Sequence, residues 1–311
     1  MTKFTEIQEL LQQKADCNAR LQLIPYEGSP EIKENKGNKY LYVRKRIGGK
    51  LTSTYVDVYS EELHQLLLKT TKDARDLRKK IRLIDKKLNE LGYEGNELSA
   101  RVMQNLEFAR ANMKANIYDQ AVLEGVATSF PQTEEIIENG KVNGMTASDV
   151  QKILNLKHAW EFILDPDVVQ SDSNYYLLCH VAKLINEGFY MDGGRIRSIP
   201  VTIGGSSYIP TIPIEADVKE KIEDIKRVEG DEINVAIELC LYCMKTQIFK
   251  DGNKRASVIF ANHYLIAQGQ GFLVIPEKDV PEFKKLLVAY YEGRDEVIIK
   301  EFMKEKCWKT F

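Results

Sequence analysis

Apolar residues recur along this chain at two different periods, and the switch from one to the other marks its organisation. Residues 1 to 22 predict a short amphipathic helix, and the polar stretch through Lys36, with Pro25 and Pro30, predicts a connector. The period then becomes two. Tyr40-Leu41-Tyr42-Val43 and Tyr55-Val56-Asp57-Val58 flank Gly48-Gly49, the pattern of strand, tight turn and strand. From Leu63, apolar or small residues fall at Leu67, Thr70, Ala74, Leu77, Ile81, Ile84, Leu88 and Leu91, in steps of four and three. That spacing predicts a long helix with a heptad seam, ended by Gly92. From Glu97 to Phe311 helical periodicity dominates, interrupted by one β-like segment, Ile196 to Ile212, centred on Gly204-Gly205. A lone two-stranded hairpin is marginal by itself, so this one is expected to lie over the helical body. The expected class is mainly α: an accessory region at 1–95 with a helix, a basic hairpin and a heptad-patterned helix, then a helical domain at 96–311.

Composition narrows the classes. At 311 residues, 43% apolar and 29% charged, the chain is long enough for a real core and is not of a disordered type. Lys and Arg number 44 and Asp and Glu 46, so the net charge of -2 gives no global pull toward nucleic acid or an anionic membrane. Basic surface is local. Arg44, Lys45, Arg46 and Lys50 sit on the hairpin, and Lys72, Arg75, Arg78, Lys79, Lys80, Arg82, Lys86 and Lys87 fall between the seam positions of the long helix. These read either as a solvated face or as a surface for nucleic acid or an acidic partner. The five cysteines are odd in number and scattered, which implies no disulfide framework. Cys240 and Cys243 lie in a helical apolar pattern with no second ligand pair, so they read as buried thiols rather than a zinc site. No apolar run approaches the roughly 18 residues of a membrane span, and the first residues lack a signal-peptide core. The expected compartment is the cytoplasm.

The chemistry concentrates in Gln247 to Ser257, QIFKDGNKRAS, between two helical patterns. The second, Lys254 to Ala267, is apolar nearly all round and predicts a buried central helix. Gly252 and Asn253 precede its first turn, where free N–H groups and the positive end of the helix dipole favour an anion. Lys254 and Arg255 add cations, and Asp251 supplies the hard oxygen ligand that Mg²⁺ prefers beside substrate phosphates. The local chemistry is that of a phosphate site.

This segment resembles the Fic (filamentation induced by cyclic AMP) domain family, whose motif reads H-x-F-x-[D/E]-G-N-[G/K]-R, often with a further Arg three residues later. Phe249, Asp251, Gly252, Asn253, Lys254 and Arg255 fit it. Gly194 to Pro213 resembles the family's flap, which holds a target segment by strand addition. Ala121 to Val126 resembles its inhibitory helix, [S/T]-x-x-x-E-[G/N], matched at Glu124 and Gly125. The likeness covers about residues 100 to 300. It implies a helical Fic bundle that binds ATP and Mg²⁺ and transfers AMP to a Tyr, Thr or Ser hydroxyl of a target protein held at 195–212. By position, Asp251 would hold Mg²⁺, and Asn253 and Arg255 would cradle phosphates.

Three departures from the family pattern matter. Gln247 stands where the motif has its His, and an amide cannot take a proton at neutral pH. Val258 replaces the second Arg, the usual partner of the inhibitory Glu, and Gln120 replaces the Ser or Thr four residues before Glu124. His180 and His263 are expected to be structural rather than substitutes. The readings are therefore an adenylyltransferase of altered site, a pseudoenzyme that holds nucleotide and partner, a phosphotransferase of the death-on-curing type, or a module acting through the basic N-terminal region. A homo-oligomer is compatible with each.

Overall fold

The computed structural model of the protein describes residues 3–95, 97–140, 144–228 and 230–311. They fall into two compact units, one of residues up to Glu94 with 138–140, the other of 95–137 with 141–311.

The first unit runs α1 (Lys3–Gln22), β1 (Ser29–Asn35), β2 (Asn38–Ile47), β3 (Lys50–Val58) and α2 (Glu61–Glu90). The strands form an antiparallel sheet in the order β1-β2-β3, with Tyr42 opposite Glu31 on one side and Tyr55 on the other. Alternation sends Leu41, Val43 and Val56 inward, where they are buried against Leu67 of α2. Ser60 caps α2 by accepting from the Leu63 N–H, and Ile84 and Leu88 further along its seam pack on Leu10 of α1. The expected helix, hairpin and long helix are all present; Met1 and Thr2 lie outside the described residues. β1 corrects the connector expected before Lys36. Its residues are mostly polar and solvent-facing, so no alternation marks it, yet its backbone pairs with β2 from Ser29 opposite Arg44 to Asn35 opposite Asn38.

From residue 100 the chain runs α3 (Ala100–Leu123), α4 (Phe130–Asn139), α5 (Ala147–Ile163), α6 (Pro166–Val169), α7 (Tyr175–Ile185), α8 (Glu215–Arg227), α9 (Glu232–Thr246), α10 (Asn253–Ala267), β4 (Phe272–Leu273), α11 (Val280–Tyr291), α12 (Glu296–Phe302) and β5 (Trp308–Lys309), which pairs with β4. The mainly α class holds. All of α10 except Lys254 and Ala267 is buried, and it packs against α3, α5, α7 and α9. It is the central helix its composition predicts. Trp160 and Phe162 of α5 and Phe260 of α10 are fully buried nearby, and truncating one such ring to Ala costs about 3–5 kcal/mol. Some buried polar groups of the bundle tie its elements together. The Asn262 amide donates to Leu273 O at 2.7 Å and accepts from Leu273 N at 2.6 Å, which ties β4 to α10. Cys240 and Cys243 are free and buried, and burial pushes both thiols up, as expected of inert core cysteines. Among the described residues no helix is long and apolar enough to cross a membrane.

The flap is corrected in one respect: residues 196–212 form no strands. Pro200 and Pro210 remove donors, and the backbone turns here through a bond from Ser206 N to Ile203 O beside Gly205. Arg197 holds the excursion together instead. Its guanidinium, 1% exposed, donates to Ile199 O at 2.8 Å and Pro210 O at 3.3 Å, and also to Thr211 O.

Candidate functional site

The site is assembled where α9 ends and α10 begins. Gln247 closes α9 in the left-handed conformation, φ 49°, a strained choice for a residue with a Cβ. Its amide Nε2 donates back to Met244 O at 2.6 Å, and its Oε1 accepts from Asn253 Nδ2 at 3.2 Å. Ile248 and Phe249 then plunge into the core. Asn253 clamps the loop from within: its Oδ1 accepts from Phe249 N at 2.9 Å and its Nδ2 donates to Phe249 O at 2.8 Å. Gly252 is required at the turn into α10. Its φ is +75°, and a Cβ there would stand 2.8 Å from the Ile185 side chain. Gly252 supplies no side-chain cap, so the first-turn N–H groups of α10 keep the character of an anion site.

The charged groups converge around Arg255. This residue is 2% exposed, with Nη2 3.4 Å from Asp251 Oδ2 and Nε 3.5 Å from Glu124 Oε2. Its Nη1 is buried with no hydrogen-bond partner among the described residues. Glu124 is the C-terminal cap of α3, ahead of Gly125 at φ +79°, and it also faces Lys254 Nζ at 3.9 Å. With Val258 in the place of its usual partner, the second arginine, Glu124 faces the first motif arginine and its neighbouring lysine instead. Val258 itself is buried in the core. Gln120 fixes the last turns of α3 against their neighbours. Its Nε2 donates to Arg255 O at 2.9 Å and its Oε1 accepts from Trp160 Nε1 at 3.1 Å, tying α3 to α10 and α5.

These residues border a cleft of about 440 Å³ lined by Glu124, Gln247, Asp251, Lys254, Lys284 and Tyr291, among others, with Val201 to Gly204 along one wall. Gly252 and Asn253 also line it, whereas Phe249 is core and Arg255 lies behind Asp251 and Glu124. Burial pushes the Tyr291 phenol well above its usual range, with the Cys240 and Glu124 charges adding to the shift. Lys250 is held at 2.5 Å by Asp192, whose carboxyl that bond depresses. Among the described residues no three His, Cys, Asp or Glu side chains gather to hold a metal ion, and Asp251 is the half-exposed carboxylate at the phosphate-type site. Among the described residues no histidine borders the cleft. His263 is buried, bonded to Ser173 Oγ at 2.7 Å and Val168 O at 2.8 Å, and desolvation pulls it down to about 4. His180 stacks on Phe162 at 4.5 Å. Both are structural, as expected.

Three functional groups escaped the sequence reading. Arg197 Nε donates to Gln247 O, so the base of the flap is fastened to the residue at the motif's histidine position. An Arg inside an apolar, proline-spaced segment, Ile196 to Ile212, was its signal. Glu292, just beyond α11, accepts from Ser207 N at 3.0 Å and from Ser206 and Ser207 hydroxyls, and the Ser207 backbone bond, with Arg294 and the Ser207 hydroxyl, holds its carboxyl down at about 2. Tyr291 carried no signal beyond its apolar register.

Comparison with known proteins places this geometry in context. A family described as a domain of unknown function, DUF6788, matches residues 4–65. The protein adenylyltransferase Fic of Drosophila mojavensis is 25% identical over 227 residues, covering 68% of this chain and 44% of that protein. Its Drosophila melanogaster counterpart is 24% identical over 223 residues with the same coverage. The chain thus spans less than half the length of these curated relatives. Among solved structures, Fic-1 from C. elegans superposes with a TM-score of 0.54 at 16% identity, over 79% of this chain and 73% of that one. A Fic domain containing signaling protein from Bacteroides thetaiotaomicron gives a TM-score of 0.50 at 17% identity, over 62% and 75%. At these identities the structures speak for the fold.

Proposed function

We propose that this chain, which belongs to the Fic domain family, binds ATP in the Gln247–Arg255 cleft and transfers AMP to a hydroxyl of a partner protein, at a rate restrained by Glu124 and by Gln247. The observation that carries the reading is the buried Arg255 guanidinium, whose Nη1 has no partner among the described residues and whose other nitrogens meet carboxylates only at 3.4 Å and 3.5 Å. A buried cation with loose partners at an uncapped helix N-terminus fits a phosphate.

In this reading the first turn of α10, Lys254 and Arg255 hold phosphate oxygens, and Asp251 is the residue that would hold Mg²⁺, which would neutralise phosphate charge. Asn253 acts differently from a direct phosphate ligand, because its amide is committed to Phe249 and Gln247; it keeps the loop in shape. The acceptor oxygen attacks the α-phosphorus, the bond from that phosphorus to the bridging oxygen breaks, and pyrophosphate leaves in line. The hydroxyl proton goes to Asp251 or solvent, since the Gln247 amide can orient the hydroxyl but not deprotonate it. The partner segment lies along 195–212, where backbone groups of an extended loop without a strand ladder remain open to strand addition. Because Gln247 is itself bonded on both amide atoms, a second reading is a pseudoenzyme that holds nucleotide and partner without transfer.

Calorimetric titration of ATP with Mg²⁺ into the wild type and Arg255→Ala tests the binding step. Saturable binding lost in the variant is expected, and equal affinity in both would remove the phosphate role from Arg255.

A further inference from the structure

The N-terminal sheet has two unlike faces. One packs on α2 through Leu41, Val43 and Val56. Alternation sends Tyr40, Tyr42, Arg44 and Arg46 of β2 to the other, together with Tyr55 and Lys33 from the flanking strands. The three tyrosines form one cluster. Tyr42 and Tyr55 are direct cross-strand partners with centroids 5.5 Å apart, and Tyr40 lies 6.3 Å from Tyr55. Lys33 Nζ sits 4.3 Å from the centre of the Tyr42 ring. Tyr55 is 48% exposed, an unusual place for a ring with no apolar cover.

Charge gives this face its complement. Residues 29–58 carry seven Lys and Arg against three Asp and Glu, a local excess of +4 in a chain whose net charge is -2. Arg44 and Arg46 are exposed on the tyrosine side, and Glu31, opposite Tyr42 on that face, is engaged by Ser53 Oγ at 3.2 Å and Lys33 at 3.7 Å. Aromatic rings between cations on an open antiparallel sheet suit unstacked bases joined by phosphates: each ring takes a base face and each cation a phosphate. An acidic peptide would use the cations but leave the rings idle, and a duplex keeps its base faces stacked away. The basic side of α2 is not part of this surface, because α2 covers the opposite face of the sheet.

We infer that the Tyr40–Tyr42–Tyr55 face, flanked by Lys33, Arg44 and Arg46, binds single-stranded nucleic acid. The test is fluorescence anisotropy of labelled 20-nucleotide oligo-dT and oligo-U with the full chain across a salt series. Binding of either is expected, with log K falling against log salt at a slope of about -2 if three phosphates are neutralised. Tyr55→Ala should weaken binding about tenfold, Tyr55→Phe should leave it unchanged, and Arg44→Ala should flatten the slope to about -1.4. The ratio of the two oligonucleotides tells DNA from RNA. Circular dichroism checks that each variant keeps the fold, which the surface position of Tyr55 favours. No binding of either at 50 mM salt overturns the inference, as would equal binding by wild type and Tyr55→Ala. Displacement by polyglutamate or by duplex DNA as readily as by unlabelled oligo-dT would also overturn it, reducing the face to a general polyanion surface.

Discussion

Glu124 Oε2 lies 3.5 Å from Arg255 Nε, so the carboxylate that ends α3 faces the guanidinium that opens α10. Both side chains are largely buried, and Glu124 Oε1 has no hydrogen-bond partner among the described residues. A pair of this kind restrains the site while compensating a buried charge. Glu124→Gly is therefore expected to act in two directions. Without nucleotide the variant loses about 2 kcal/mol of stability, because Arg255 keeps only Asp251 as a carboxylate partner. With ATP and Mg²⁺ it binds about tenfold more tightly than wild type, and ligand binding restores its Tm. Thermal melts with and without nucleotide read both effects; a variant with unchanged affinity would show that Glu124 only caps its helix.

Gln247 stands where the site needs a proton acceptor. Gln247→His, made in the Glu124→Gly background, should raise the rate of transfer by at most about 10² to 10⁴. Its pH profile should acquire an inflection in the histidine range that the glutamine protein lacks. A rate equal to that of Gln247 would mean that Asp251 or solvent already serves the proton.

The flap depends on Arg197. Five carbonyls, those of Ile199, Pro210, Thr211, Thr246 and Gln247, lie within hydrogen-bond reach of its one guanidinium. Arg197→Lys keeps the charge but loses the planar fork, so most of those carbonyls lose their donor. Amide exchange across 198–212 should quicken sharply, while exchange in α10 stays slow. Glu292→Gln should quicken only the tip at 204–207, since its carboxylate engages Ser206 and Ser207 alone in that loop.

His263 links stability to pH. In the neutral ring Nε2–H donates to Val168 O and Nδ1 accepts from Ser173, an arrangement that a second ring proton would disrupt. Its folded value of about 4 lies below the ordinary 6.5, so the unfolded chain binds the proton first. The contribution is complete above pH 6.5 and is lost as pH falls toward 4, by about 3 kcal/mol. Urea titrations at pH 7 and pH 4 should show that fall in the wild type and a smaller one in His263→Gln.

The sequence made α10 and its loop legible because an all-round apolar helix and a Gly-Asn turn are strong local signals. Residues 247–255 were all placed in one neighbourhood by their spacing. What escaped were side-chain bonds that exist only once the loop and its neighbours are folded. Asn253 reads as a phosphate ligand until its amide is seen closing on Phe249, and Gln120 reads as a motif mismatch until it is seen bridging Arg255 and Trp160. The flap showed the alternation and the Gly-Gly turn of a hairpin, but prolines and a buried arginine give it a different internal support. β1 was invisible because pairing with β2, and not burial of its own side chains, makes it a strand.

The most direct measurement follows the phosphorus of ATP. Wild type, Glu124→Gly and Glu124→Gly with Gln247→His are each incubated with Mg²⁺, a cell lysate and ATP labelled at either the α- or the γ-phosphate. Transfer of AMP puts α-label on protein, weakest in the wild type and strongest in the double variant, with no γ-label above background. Protein carrying γ-label, or a double variant that acquires no α-label, would contradict it.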